Sequence, residues 1–132
     1  MIIRITPDKE RAKSILALIK ERESFVATIN PQQFPTLAME NYYEIIKELA
    51  TCLLLIDGQR AVGEQAHKDL LEYLANYREF FQHDLVFLND LRIKKNNSSY
   101  DGKKIEPVYL ANNKTKILEI IDRLKKMINK ML

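Results

Sequence analysis

The sequence predicts an all-α protein, an up-and-down bundle of four or five helices. Three observations carry this expectation. Breakers are scarce, with 3 Gly and 4 Pro in 132 residues, too few for the turns of a sandwich or barrel. Apolar residues recur at the three-to-four-residue spacing of amphipathic helices in segment after segment. Apolar side chains make up 46% of the chain, enough for one sizeable core and too many for a disordered segment. The chain is read as one helical domain, 1–132, in which 1–35 form an N-terminal helix and linker and 36–130 the bundle.

The first helix is expected to open at Thr6, with Pro7 at its first helical position, where a missing N–H is harmless. Ala12, Ile15, Leu16, Ile19 and Val26 then share a face, and the run Asn30 to Pro35 ends it. A second helix begins near Thr36 and carries Tyr42, Ile45, Ile46, Leu49, Leu53 and Ile56 on one stripe, with Asp57-Gly58 as its stop. A linker through Gly63 leads to a third helix with Leu70, Leu71, Leu74 and Tyr77. The pattern breaks or bends around Phe81 to Asp84 into a fourth helix reaching about Ser99. Tyr100-Asp101-Gly102 and Pro107 mark a loop, and the last helix starts near Asn113, with Ile117, Ile120, Ile121, Leu124, Ile128 and Met131 inward.

Apolar runs such as Cys52 to Ile56 fall far below the roughly 18 residues of a membrane span. Met1-Ile2-Ile3-Arg4-Ile5 is too short for the apolar part of a signal peptide. A lone Cys52 forms no internal disulfide, so a reducing, cytoplasmic setting is the default expectation. The His and carboxylate spacings match no metal-ligand pattern, and no cofactor is expected. The Gly58 to Gly63 region lacks the spacing of a phosphate loop.

Charge is unevenly distributed. Residues 1–91 hold 10 basic and 14 acidic side chains, a net −4, whereas residues 92–132 hold 11 and 4, a net +7. A basic C-terminal third on an acidic body attracts phosphates. For residues 114–132 the simpler reading is cations favoured by a helix C-terminus. For Arg92 to Lys104, with five basic residues and only Asp101 opposing, a ligand-facing role competes with that reading.

The fourth helix is the most informative segment. At 100° per residue, Phe81, Leu85 and Leu88 lie within about 60° of one another and are expected to form its buried face. Continued along that face, Arg92, Lys95, Asn96, Ser99 and Tyr100 sit at about −20°, −80°, +20°, −40° and +60° from Leu85. The stripe turns polar without rotating to solvent. Either the helix end protrudes past its neighbours into water, or these residues line a cleft, because a buried guanidinium must be paired, hydrated or facing a cavity. Arg92 would grip two phosphate oxygens in a fork, Lys95 would act as a point charge, Asn96 and Ser99 would add neutral hydrogen bonds, and Tyr100 would stack on a base.

Two stretches, Leu53-Leu54-Leu55-Ile56-Asp57-Gly58 through His67-Lys68-Asp69-Leu70-Leu71, and Leu88-Asn89-Asp90-Leu91-Arg92-Ile93-Lys94-Lys95-Asn96-Asn97-Ser98-Ser99-Tyr100-Asp101-Gly102, resemble the HEPN family of small helical bundles. The likeness covers roughly residues 36–130. Its second stretch is similar to the family's Arg-Asn-x-x-x-His segment near the end of a long helix, with Lys95 at the Arg position, Asn96 retained and Tyr100 at the His position. The resemblance implies a homodimer with two polar stripes facing one cleft, RNA or a nucleotide as ligand, and a nucleotidyltransferase-type antitoxin as partner of a toxin-like chain. In active members it implies metal-independent RNA cleavage, with the ribose 2′-OH attacking the adjacent phosphate.

The departures predict weakened chemistry. A phenol is a poor base at neutral pH, and lysine does not bind phosphate in bidentate fashion. Ribonuclease activity is therefore expected to be weak or lost, with binding retained. His83 stands twelve residues before Lys95, about 18 Å along a helix, and is an unlikely partner. His67 is either a helix-surface histidine or, if the third helix packs on the end of the fourth, a neighbour of Arg92. Two alternatives stand beside RNA binding. One is a non-catalytic helical module whose stripe binds another protein; the other is an active ribonuclease using Arg92, Lys95 and Tyr100.

Overall fold

In chain order the computed structural model, which describes residues 1–132, runs β1 (Ile2–Arg4), α1 (Lys9–Val26), α2 (Pro35–Ile56), β2 (Gln59–Ala61), α3 (Ala66–Tyr73), a 3₁₀ turn at Leu74–Asn76, α4 (Gln82–Asp101) and α5 (Pro107–Met131). Helix accounts for 73% of the residues. Helix α2 organises the rest. Of its 22 residues 13 are buried, far more than the one stripe read from the sequence. A helix apolar nearly all round needs neighbours on every side, and α2 touches α1, α3, α4 and α5.

The core is a single cluster of 29 buried residues drawn from all five helices. Ala12, Ile19 and Val26 of α1 pack into it with Leu49 and Leu53 of α2, Leu88 and Leu91 of α4 and Ile117, Ile120 and Leu124 of α5. Residues 1–35 thus share a core with 36–130. Each fully covered Leu or Ile contributes about 1.5–3 kcal/mol by leaving water. No helix is long and apolar enough to cross a membrane.

Several expected boundaries shift. Helix α1 is capped by Asp8, whose Oδ1 accepts the Arg11 N–H at 3.0 Å, and not by Thr6. The reason lies upstream. Ile2–Arg4 pairs antiparallel with Gln59–Ala61, and the Ile5 N–H donates to Gly58 O at 2.9 Å, so Thr6 and Pro7 form the turn into the helix. The expected 58–63 linker is therefore partly a strand. Gly58 makes this possible: its φ is +75°, and a Cβ there would lie 2.9 Å from Ile5 O. Helix α5 begins at Pro107 instead of near Asn113, because proline is pre-set for the first helical position. The loop before it shrinks to a few residues after Gly102, which ends α4 in the left-handed conformation.

The start of α4 is fixed by one buried carboxylate. Asp84 is fully buried. It accepts the Phe81 N–H at 2.9 Å, satisfying a free donor at the helix start, and meets Lys116 Nζ at 2.5 Å and Arg123 at 2.8 Å from α5. Tyr109 adds a 2.6 Å hydrogen bond to Asp90, and Lys94 lies over the Tyr109 ring at 5.1 Å. Long polar side chains thus tie α4 to α5.

Candidate functional site

The buried face of α4 is rotated from the expected one: Leu88 is buried and Leu85 packs partly against the core, but Phe81 does not. Phe81 is 62% exposed and stacks on His83. The covered positions are Asp84, Leu88 and Leu91, centred about 90° away from Leu85 around the helix. Continued toward the C-terminus, the covered direction meets Lys95. Arg92, Asn96 and Tyr100 lie on the flank of this face instead of its centre. The five polar residues read as one stripe therefore separate into two sets.

One set turns to α2. Lys95 Nζ lies 3.7 Å from Glu44, and Ser99 Oγ is 3.5 Å from Glu40. Neither lines the cleft, contrary to the expectation. Glu44 also pairs with Lys47 at 2.7 Å, so one carboxylate stands between two lysines.

The other set lines a concavity of about 390 Å³. Arg92, Asn96 and Tyr100 form one wall, and Gly63 to Lys68, including His67, form the other. The first turn of α3 carries His67 to the end of α4. Arg92 donates from Nε at 3.2 Å and from a terminal nitrogen at 2.9 Å to one oxygen, Asn89 Oδ1. That partner is neutral, and Arg92 has no ion pair, so its charge is directed but not cancelled. Tyr43 on α2, within the field of Arg92, is buried, its hydroxyl without a hydrogen-bond partner and its phenol pushed up to about 12 by burial and by Glu44, against the pull of Arg92. Tyr100, 79% exposed in the last turn of α4, stands at the open edge.

His67 is held below the usual imidazole range. Partial burial acts first, then Lys47; Lys95 and Arg92 push the same way, and Glu44 opposes them. A neutral imidazole among cations accepts or donates a hydrogen bond at neutral pH, and its environment favours an anion. His83 is far from this arrangement, exposed at the start of α4 beside Asp84. No three His, Cys, Asp or Glu side chains gather as metal ligands.

Residues that sequence reasoning did not single out also frame this region. Glu44 and Lys47 come from the most buried helix, where charged residues read as ordinary surface positions. Arg60 sits in a strand too short to show a period-two pattern. His67 separates the concavity from a second one, lined by Arg11, Lys47 and Arg60.

No family model, curated protein or solved structure matches the chain.

Proposed function

We propose that the protein is an RNA- or nucleotide-binding protein of HEPN type, with Arg92 as the principal phosphate ligand. What supports this reading is one juxtaposition: Arg92, which forms no ion pair, shares a concavity with Asn96, Tyr100 and the neutral, cation-flanked His67, where Glu64 and Lys68 on the wall offset each other in charge. The guanidinium offers a fork to phosphate oxygens, Asn96 a neutral amide, and Tyr100 an exposed ring for stacking. Lys95, held by Glu44, contributes to the field and not to direct contact. Under this reading the chain is the toxin-like half of a toxin–antitoxin pair, acts as a homodimer in the cytoplasm, and has a nucleotidyltransferase-type antitoxin as partner. Its test is binding of single-stranded RNA at low salt, with affinity falling steeply as salt rises. Absence of any RNA or nucleotide affinity at low salt ends it.

A second reading, active metal-independent ribonuclease, is favoured by the position of His67. The resemblance put the acid/base position at Tyr100; the imidazole in the concavity belongs to His67. As a base it would take the proton of the ribose 2′-OH, whose oxygen attacks the phosphorus as the P–O5′ bond breaks and the 5′-oxygen takes a proton from water, while Arg92 neutralises the phosphate. Cleavage in excess chelator, leaving cyclic phosphate ends and abolished in His67→Ala, supports this reading. Intact RNA after prolonged incubation with the wild-type chain leaves binding alone.

A further inference from the structure

On the far side of His67 lies a second, more enclosed pocket of about 270 Å³, between α1, α2, β2 and α3. Its composition is unlike that of an ordinary surface dent. Ala61 and Ala66, backed by the covered Leu54, Leu55 and Leu70, give it an apolar side. Three cations stand around it: Arg11 from α1, Lys47 from α2 and Arg60 from β2. No carboxylate lines it. Lys47 is partnered by Glu44, but neither Arg11 nor Arg60 has an ion pair or a side-chain hydrogen bond. Arg11 and Arg60 are exposed, so water meets their donors in the free protein, but no carboxylate on the pocket lining offsets their charge. The apolar side accepts a flat, weakly polar body, and Gln59 offers an amide at the edge.

We infer that this pocket is a nucleotide subsite: a base lies against its apolar lining, which includes Ala61 and Ala66, and its phosphate meets Arg11 and Arg60. The match is between an amphiphilic anion and an amphiphilic pocket. Guanidinium binds phosphate oxygens in bidentate fashion, and apolar surface with few placed polar groups is what small-molecule sites use. Because His67 lines both pockets, a nucleotide here lies next to the Arg92 concavity, and an RNA strand crossing His67 occupies both. The choice of a nucleotide as ligand rests on the proposed RNA-binding reading; the pocket itself does not depend on Arg92.

The experiment is isothermal titration at low salt with uridine monophosphate, uridine and inorganic phosphate, against the wild type, Arg60→Ala, Arg11→Ala, Arg92→Ala and, as control, Lys126→Ala. Arg11 and Arg60 are exposed, and circular dichroism is used to check that each variant is folded. The expected result is that uridine monophosphate binds at least tenfold more tightly than uridine or phosphate. Its affinity falls at least fivefold in Arg60→Ala and in Arg11→Ala and changes less than twofold in Lys126→Ala, which alters an exposed cation outside both pockets. Lack of binding by uridine monophosphate overturns the inference. So does phosphate binding as tightly as the nucleotide, which would mark a merely cationic surface, or loss confined to Arg92→Ala, which would put the ligand in the other concavity. Failure of RNA to respond to Arg92→Ala, with mononucleotide binding still lost in Arg60→Ala, would remove the proposed function and leave the subsite.

Discussion

Lys95 lies 3.7 Å from Glu44, and this contact takes Lys95 out of the concavity that Arg92 lines. Three residues apart on α4, the two cations point to different surroundings: one to a carboxylate on α2, the other to open space beside His67. Sequence distance between two cations is thus a poor guide to which one meets a ligand.

The first prediction follows from that separation. Lys95→Ala should weaken RNA binding by no more than about the effect of one screened charge, roughly twofold. Ser99→Ala should be silent. A fluorescence-anisotropy titration in which Lys95→Ala or Ser99→Ala loses as much affinity as Arg92→Ala would contradict the assignment of walls.

His67 gives a pH signature. Its imidazole should titrate below the ordinary value, since burial, Lys47, Lys95 and Arg92 disfavour its protonation. The sign is as follows for stability: the unfolded chain takes up the proton first as pH falls, so the His67 contribution is intact above the ordinary imidazole range and diminishes below it. A bound phosphate should reverse the shift by adding negative charge nearby. Proton NMR of the His67 ring with and without phosphate checks this; a titration point that stays fixed or moves down on adding phosphate would be the wrong result.

Asp84 should be the most sensitive polar residue for stability. Its burial would raise the carboxyl, but the Lys116 hydrogen bond, the Phe81 N–H and Arg123 hold it down to about 2. Because the folded value lies below the unfolded one, the stabilisation is complete above the ordinary carboxylate range and is lost as pH falls from about 4 toward 2. Asp84→Ala should cost about 2–4 kcal/mol, toward the lower side for a broken buried pair because Lys116 and Arg123 reach water. It should also remove this acid sensitivity. Urea unfolding of both proteins across that pH range measures the two effects together.

Gly58→Ala should destabilise by about 1–3 kcal/mol, since it places a Cβ against Ile5 O at a left-handed backbone position. The damage should be local. Amide exchange of Ile5 and the β1–β2 pair should quicken while the α2 core stays protected; unchanged exchange at Ile5 would show that this hydrogen bond does not anchor the N-terminus.

Where the sequence was legible and where it was not has a physical pattern. The five helices follow from apolar spacing, and the inward positions of α5, Ile117, Ile120, Ile121, Leu124 and Ile128, are all buried. Boundaries failed where tertiary pairing set them. Ile2–Arg4 becomes a strand only because Gln59–Ala61 lies beside it, and that moves the cap of α1 from Thr6 to Asp8. The face of α4 differs from the expected one because Phe81 is apolar and Asp84 charged, so apolar spacing alone puts the ring inside. In the fold Lys116 and Arg123, more than thirty residues away, make the carboxylate buriable and leave the ring outside. Arg92, Asn96 and Tyr100 were legible as candidates because they lie close together on one helix. Lys95 was misplaced for want of Glu44, and the second pocket was invisible because Arg11, Lys47 and Arg60 come from three separate elements.

The most direct measurement is the salt dependence of single-stranded RNA affinity for the wild type, Arg92→Ala and Lys126→Ala. Lys126 is an exposed cation on α5, paired with Asp122 and outside both pockets, and serves as the charge-matched control. The account predicts that Arg92→Ala lowers affinity about tenfold at low salt and reduces the slope of log affinity against log salt by about one, while Lys126→Ala leaves both within about twofold of the wild type. Equal losses in the two variants, or wild-type affinity and slope retained in Arg92→Ala, would contradict it.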